Sequence, residues 1–280
     1  MLKLLYKISL TIVLCGCSKD DNIQSPLNAD VLPVTEGNWF RPVEETTWQW
    51  QLTGDINTSY DAEVYDIDLF DVSESTIGKL QAEGKKVIAY FSAGSYEQWR
   101  IDASSFSESD LGNPLDGWPG ERWVDIRSPE IHSLMLNRLD LAKEKGFDGV
   151  EPDNVDGYSN NTGFDLTAND QLAYNRFMAN EAHKRGLSIG LKNDLDQIPE
   201  LVDYYDFSVN EECFEYEECD VLLPFITSGK AVFNAEYSSV LVNSSDARES
   251  LCAQANNLKL STLILPLELD DTFRYSCRDL

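Results

Sequence analysis

The chain has 280 residues, with 49 Asp and Glu against 22 Lys and Arg, and a formal net charge of −27. Because so acidic a chain repels phosphate backbones, its composition argues against nucleic acid as a partner. The charge either serves only to solvate the surface or attracts a cationic polymer.

The first 16 residues are predicted to be a signal peptide. Two lysines accompany the apolar run 8–14, which is too short to span a membrane. The segment ends in LCGC, which resembles a bacterial lipobox and predicts lipidation of Cys17; an ordinary secretory signal is the alternative. Residues 17–38 are polar, contain prolines and lack periodicity, so we expect a flexible tether. These features predict an exported chain held at the bacterial outer membrane or cell surface by its N-terminal lipid only.

Residues 39–280 are predicted to form one domain, close in size to the roughly 250 residues of a typical eight-fold α/β barrel. Three segments, 73–84, 128–146 and 167–186, begin with Ser or Thr at a capping position and end in Gly. Apolar residues recur in them at helical spacing, and an apolar strand follows each one. The pattern indicates helices and strands in alternation.

Eight apolar runs are strand candidates, and runs of this kind between helices indicate parallel strands buried on both faces. We predict an α/β fold, a (β/α)8 TIM-like barrel, rather than an open doubly wound sheet, because neither GxGxxG nor GxxxxGKS/T occurs. The candidates are TWQWQL, AEVYDIDLF, KVIAYFS, FDGVE, LSIGLK, YDFSVN, AVFNAEY and STLILPLEL.

Four cysteines lie beyond the signal segment, and an even number in an exported chain favours two disulfides. Three pairings are possible. We favour Cys213 with Cys219 and Cys252 with Cys277, because each pair closes a local loop. Zinc is disfavoured because no two of these cysteines have CxxC spacing, and we expect no metal and no cofactor.

Carboxylates follow the predicted strands at their C-terminal ends, where such barrels build their active sites. A ring of this kind either holds hard cations or cleaves a glycosidic bond. The calcium-loop template fails at Pro152, which has no side-chain oxygen, and His132 and His183 fall inside helix patterns, away from any strand end. Cleavage of a glycosidic bond by carboxyl groups is therefore the favoured chemistry. The ring comprises Asp55, Asp71, Glu97, Asp153, Asp156, Asp194, Glu211, Glu212, Glu236, Glu268 and Asp270.

Asp153 and Glu211 end the fourth and sixth strands, so across the barrel mouth they can flank one bond. Asp suits attack on the anomeric carbon and the longer Glu suits the acid/base role, although Asp153 alone could also be a loop-capping acid. Because side chains alternate along a strand, only one of Glu211 and Glu212 can face the cleft.

Tryptophans are a second feature suited to sugars, whose apolar faces pack on flat rings. Trp48 and Trp50 alternate on one strand face, either as barrel core or as a sugar platform. The connection 94–127 carries three more tryptophans, Trp99 among them, and its length predicts a cleft wall or a lid.

Several segments together resemble the motif series of endo-α-1,4-polygalactosaminidases, glycoside hydrolase family 114: WQWQL, YFSAGSYEQWR, DGVEPDNVDGY, IGLKND and SVNEECFEYEECD. The resemblance covers about residues 39–237. It implies a (β/α)8 barrel that cuts α-1,4-linked galactosamine polymers internally, with Asp153 as nucleophile and Glu211 as acid/base. Asp125, Asp156, Lys192 and Asn193 match motif positions expected to line the sugar site, and further candidates for sugar contact are Trp50, Tyr90, Trp99 and Glu236.

The resemblance therefore predicts a monomeric enzyme whose partner is a galactosamine-rich polysaccharide. We expect retention of configuration through a covalent glycosyl-enzyme, which requires the two carboxyl groups to lie about 5 Å apart. The alternatives are a non-catalytic glycan-binding lipoprotein with the same barrel and a barrel glycosidase of different linkage specificity.

Overall fold

A computed structural model describes residues 26–279, and within them the strands and α-helices are as follows. The strands are β1 (Trp48–Gln51), β2 (Val64–Asp68), β3 (Lys86–Ser92), β4 (Ser95–Glu97), β5 (Leu111–Pro114), β6 (Glu121–Val124), β7 (Gly149–Asp153), β8 (Ser188–Lys192), β9 (Phe207–Glu211), β10 (Ala231–Glu236), β11 (Ser261–Ile264) and β12 (Tyr275–Ser276). The helices are α1 (Glu74–Ala82), α2 (Pro129–Lys145), α3 (Ala168–Lys184), α4 (Ile198–Leu201), α5 (Leu223–Thr227), α6 (Ser239–Asn243) and α7 (Ser245–Asn257).

The strands β1 to β3 and β7 to β11 form a curled sheet in which each neighbouring pair runs parallel. The first and last of these strands meet through Trp48, whose indole N–H donates to the Ser261 carbonyl at 2.7 Å. The Trp48 ring also stacks on Phe233 of β10, with the centroids 4.9 Å apart. All eight predicted strands are present, and the predicted α/β barrel is confirmed.

Alternation along each strand divides the apolar residues between two cores. One set of side chains points into the barrel, where Trp48, Trp50 and Phe233 pack together, and the other set packs under the surrounding helices. This separation follows from the two-residue period of a strand. It also decides which strand-end carboxylates can reach the barrel mouth.

Local capping sets the helix boundaries where the sequence predicts them. Ser73 caps α1 by accepting from the Thr76 N–H, and Thr167 and Asp170 form a capping box at α3. Gly146 ends α2 with φ at +89°, a left-handed conformation that glycine adopts without strain. Ser128 occupies the capping position of α2, but its hydroxyl donates to Glu130 at 2.9 Å instead of capping the helix.

A three-stranded antiparallel sheet, in the order β4, β6, β5, occupies the long connection between β3 and α2. Two buried arginines fasten it to the barrel. Arg100 lies 2.7 Å from Asp68 of β2 and 2.8 Å from Glu97 of β4, and Arg138 of α2 donates to Asp102 at 2.9 Å. We call this unit, residues 93–128, the wall sheet.

The structure corrects the predicted tether, because the part of it that is described lies against the domain. The Val34 N–H donates to Asn180 of α3 at 2.7 Å, and the Val34 carbonyl lies 2.8 Å from His183 Nδ1. The Trp39 indole N–H donates to Asp206 at 2.9 Å. The domain thus begins before residue 39, while the predicted signal peptide and Cys17 lie outside the described residues.

Both favoured disulfides are confirmed, between Cys213 and Cys219 and between Cys252 and Cys277. The two histidines that fall inside helix patterns are buried, His132 in α2 and His183 in α3. Among the described residues, no helix has the length and apolar character needed to cross a membrane.

Candidate active site

A cavity of about 800 Å³ opens at the C-terminal ends of the barrel strands, with the wall sheet along one side. Its floor is formed by barrel strand ends and its rim by loops. The lining residues are Trp50, Leu52, Tyr90, Asn113, Pro114, Leu115, Asp116, Trp118, Glu121, Trp123, Asp153, Asn154, Asp156, Asn160, Asn161, Lys192, Asn193, Glu211, Leu267 and Leu269.

One ammonium group joins the two predicted catalytic carboxylates. Lys192 Nζ lies 2.9 Å from Asp153 Oδ1 and 2.9 Å from Glu211 Oε2, and its side chain is only 4% exposed. Since both oxygens touch the same nitrogen, their separation is less than twice that distance. It is therefore below the gap of about 6.5 Å or more that inverting glycosidases use. Trp50 supports the ammonium from its ring face, with a centroid 5.2 Å away.

Asp153 is held as a carboxylate by hydrogen bonds on both oxygens. Lys192 and the Asn154 backbone N–H donate to Oδ1, the latter at 2.8 Å, and the Tyr90 hydroxyl donates to Oδ2 at 2.9 Å. Burial by itself raises the pKa of Asp153, but the charge of Lys192 and these donors outweigh it and leave that pKa below its ordinary value. An ionised, oriented carboxylate is what a nucleophile requires.

Glu211 ends β9 with its carboxylate held from the other side of the cavity. The Tyr237 hydroxyl donates to Oε1 at 2.6 Å, and Asn193 approaches Oε2 at 3.4 Å. Burial raises the pKa of Tyr237 well above its ordinary value, so this phenol keeps its proton. Glu212 follows in a left-handed conformation, at φ +60°, and lies outside the cavity lining, so Glu211 is the member of the pair that faces the cleft.

Two further carboxyl groups lie inside the barrel near Lys192. Asp66 of β2 and Glu151 of β7 are fully buried, and apart from each other they have no hydrogen-bond partner among the described residues. Burial raises the pKa of Asp66 to about 7, and burial and then the charge of Asp66 raise that of Glu151 well above its ordinary value. At neutral pH the pair therefore keeps at least one proton, and the charge of Lys192 remains directed to Asp153 and Glu211.

Most of the predicted site residues are brought together in the cavity. Trp50, Tyr90, Asp156, Lys192 and Asn193 all line it with the two carboxylates. Burial, followed by the charge of Asp153, raises the pKa of Asp156.

Three predicted residues need correction because they do not line the cavity. Asp125 accepts hydrogen bonds from Arg127 at 2.8 Å and 2.9 Å and is absent from the cavity lining. Trp99 is 53% exposed and lies outside the lining. Glu236 accepts from the Phe214 N–H at 3.0 Å, and its neighbour Ala235 belongs, with Phe233, to the residues of β10 that point into the barrel.

Trp118 and Trp123 are the other two tryptophans of the long connection that is predicted to form a cleft wall or lid, and the remaining lining residues were not singled out. Glu121, Trp118 and Trp123 come from the wall sheet and its turn, and Asn160 and Asn161 come from the loop after β7. The wall residues could be suspected only from the length of the connection and its tryptophans. The asparagines carry no sequence signal beyond following the DGVEPDNVDGY segment.

The arrangement can protonate and attack a glycosidic bond. An ionised Asp153 and a second carboxyl, Glu211, face one cavity across a single ammonium, and Trp118, which is 47% exposed at the rim, offers a flat surface for a sugar ring. Within residues 26–279, no cluster of three or more His, Cys, Asp and Glu side chains is placed to hold a metal ion. Barrel and carboxylates together define the protein as a glycoside hydrolase.

Comparison with known proteins identifies the family. The model of glycoside-hydrolase family GH114 matches residues 30–280, and the chain belongs to this family. It is similar to the crystal structure of Aspergillus fumigatus Ega3 in complex with galactosamine, at 46% identity and a TM-score of 0.82, covering 86% of this chain and 99% of that one.

More distant similarities agree with the fold. The glycoside hydrolase domain of PelA from Pseudomonas aeruginosa has 13% identity and a TM-score of 0.65, covering 81% of this chain and 97% of that one. An uncharacterized protein of Deinococcus radiodurans is 30% identical over 129 residues, which are 40% of this chain and 41% of that protein. The chain therefore matches only about two fifths of the length of this curated relative.

Proposed function

We propose that the protein is an endo-acting, retaining hydrolase of α-1,4-linked galactosamine polymers, including partly N-acetylated ones, such as those of exopolysaccharides and biofilms. The observation that carries the proposal is the placement of Asp153 and Glu211 on one ammonium, because it keeps their two nearest oxygens closer together than the gap of inverting enzymes, which supports retention. The similarity to a structure that contains galactosamine supports the choice of sugar.

In the first step, Asp153 attacks the anomeric carbon while Glu211 gives a proton to the leaving glycosidic oxygen. The C–O bond to the leaving sugar breaks as the bond to the Asp153 carboxylate forms. In the second step, Glu211 takes a proton from water, whose oxygen displaces the carboxylate, so two inversions give net retention. Lys192 keeps its protons throughout and stabilises the carboxylate of Asp153 when it is released.

The cavity charge favours a cationic amino sugar. Among the residues that the structure describes, five carboxyl groups line it against one cationic side chain, Lys192, and a protonated galactosamine unit adds an ammonium group beside them. At the rim, Trp118 is 47% exposed and Leu267 is 56% exposed, so apolar surface continues beyond the carboxylates. This extension suits internal cleavage, in which sugar units are bound on both sides of the scissile bond. The five carboxyl groups belong to Asp116, Glu121, Asp153, Asp156 and Glu211.

Product analysis tests the proposal directly. The protein without residues 1–17 is incubated with partially deacetylated α-1,4-galactosaminan, and the products are measured by mass spectrometry. We expect short oligomers from the parent and none from Asp153→Asn or Glu211→Gln, while Glu212→Gln, as matched control, keeps most of the activity. A parent that binds the polymer without cleaving it would instead indicate a glycan-binding protein, and cleavage of another glycan would indicate a different linkage specificity.

We also propose that the mature chain is monomeric and attached through a lipid on Cys17 to the outer membrane or cell surface. The LCGC sequence after the apolar run 8–14 supports this attachment. Replacement of Cys17 by Ala is expected to move the protein from the membrane fraction to the soluble exported fraction. Membrane association that persists in the variant would contradict the lipid anchor.

A further inference from the structure

A buried chain of hydrogen bonds connects the wall sheet to the proposed nucleophile. Ser95 Oγ donates to Glu121 Oε2 at 2.8 Å, so the Ser92 hydroxyl, 2.7 Å away, must donate to Ser95. Asn154 Nδ2 donates to Ser92 at 2.9 Å. The backbone N–H of the same Asn154 donates to Asp153 Oδ1 at 2.8 Å. The side-chain donors of Asn154, Ser92 and Ser95 all point toward Glu121, which is the final acceptor, while the Asn154 backbone N–H points toward Asp153.

The backbone around this chain is closely packed. Asn154 is left-handed, at φ +59°, a conformation that needs support from its surroundings. A Cβ placed on Gly94 would lie 1.7 Å from the Asn154 carbonyl oxygen, so only glycine allows the two segments to approach. Gly94 also accepts from the Val124 N–H at 3.0 Å and donates to the Asp153 carbonyl at 3.1 Å. The wall sheet and the Asp153 loop are thereby joined by backbone as well as by side chains.

Glu121 is held at one oxygen only. The residue is 8% exposed and lines the cavity, and no described residue donates to its Oε1. Glu97 is its partner across the wall sheet, and Arg100 and Asp153 also act on its charge. Burial raises the pKa of Glu121 to about 7, with a further contribution from Glu97 and Asp153, while the hydrogen bond from Ser95 opposes the rise.

We propose that Glu121 is a positioning residue for Asp153, acting through Ser95, Ser92 and Asn154. Glu121 fixes the two serine hydroxyls, which hold the Asn154 side chain and so keep its backbone N–H directed at Asp153. The inference rests on the function proposed above for Asp153. It assigns to the wall sheet a role in the reaction in addition to forming one side of the cleft.

Kinetics of four variants test the proposal. Glu121→Ala and Ser95→Ala break the chain, and we expect kcat to fall about ten- to a hundredfold with little change in KM, because small misplacements of a reacting group are costly. Glu121→Gln keeps an acceptor for Ser95 and should restore most of kcat. Glu108→Gln is the matched control, because this exposed carboxylate of the wall sheet bonds to Arg122 and lies outside the cavity lining.

The pattern of kinetic constants decides between positioning and other roles. An unchanged kcat in Ser95→Ala would overturn the proposal. A Glu121→Gln variant that is as impaired as Glu121→Ala, with a raised KM, would also overturn it and indicate direct contact of Glu121 with the sugar. Should Glu121→Ala fail to fold, Ser92→Ala breaks the same chain with a smaller change and the same expected loss of kcat.

A titration of Asp153 separates this inference from the proposed activity. The carboxyl carbon of Asp153 is followed by ¹³C NMR against pH and assigned by its absence in Asp153→Asn. We expect the Asp153 midpoint to rise in Ser95→Ala and Glu121→Ala and to stay unchanged in Glu121→Gln and Glu108→Gln. This result is expected even if no polymer is cleaved. A titration midpoint of Asp153 that is equal in all variants would refute the proposed connection between Glu121 and Asp153.

Discussion

Replacement of Lys192 by Met tests how much the fold depends on the ammonium between the two carboxylates. At 2.9 Å, and with an effective dielectric constant of about 20, each contact has a Coulomb energy of about 6 kcal/mol, much of which desolvation offsets. Removal of one partner from a buried pair typically costs about 3–5 kcal/mol, because the remaining charge is left uncompensated. We expect a loss of this size in the free energy of unfolding at pH 8, with no detectable cleavage of polymer.

The pH dependence of that loss follows from the carboxylates that remain. Without Lys192, burial raises the pKa of folded Asp153 above its unfolded value, so the folded variant binds a proton more tightly than the unfolded chain does. The destabilisation is then full above the raised pKa and disappears as the pH falls toward the unfolded value of about 3.9.

The assay is urea unfolding at several pH values, since urea adds no ions that would screen the contacts. Lys184→Met is the control, because Lys184 forms an exposed pair with Glu181 and such pairs contribute at most about 1 kcal/mol. A loss below about 1 kcal/mol at pH 8, or one that does not change with pH, would refute the account of Lys192.

Three other perturbations have definite outcomes. In the parent, Asp66 has a pKa of about 7 in the folded state and about 3.9 in the unfolded chain, so the free energy of unfolding falls as the pH rises from about 4 to about 7. In urea unfolding, Asp66→Asn should therefore be more stable than the parent at pH 8 and equal to it near pH 4. Tyr237→Phe removes the 2.6 Å hydrogen bond to Glu211, and steady-state kinetics should show kcat lowered about tenfold or more, as for other hydrogen bonds to charged groups. Added salt should raise the apparent KM for deacetylated polymer, and initial rates that are unaffected by ionic strength would contradict electrostatic attraction of the substrate.

Short-range sequence signals predicted the helices and strands of the barrel. Ser73 and Thr167 cap their helices, and each strand candidate is a strand, because capping and apolar periodicity act over a few residues. The positions of Asp153 and Glu211 follow from the same logic, since parallel strands in a barrel all end at one face.

The rest of the site depends on contacts that a linear pattern does not contain. Glu236 and Glu211 both end barrel strands, but Glu211 points into the barrel and Glu236 points away from it. Because Glu211 pairs with Ala235, a shift of one residue between the two strands would decide whether Glu236 reaches the cavity. Trp99 and Trp118 lie in the same connection, and only the pairing of β4, β5 and β6 turns Trp118 toward the cleft. Glu121 was missed for the same reason, because its proposed role rests on Ser92 at the end of β3 and Ser95 at the start of β4.

The docking of the N-terminal segment limits how far a lipid anchor could reach. Ala29 is buried, and the carbonyl of Leu32 accepts from Asn180 at 3.0 Å, so the chain is fixed to the domain from about residue 29 onward. With Cys17 lipidated as proposed, eleven residues, 18–28, would separate the lipidated residue from this point, and the segment could span at most about 40 Å even when fully extended. Such an enzyme would work on glycan lying close to the surface that carries it, and would leave polymer farther from that surface intact.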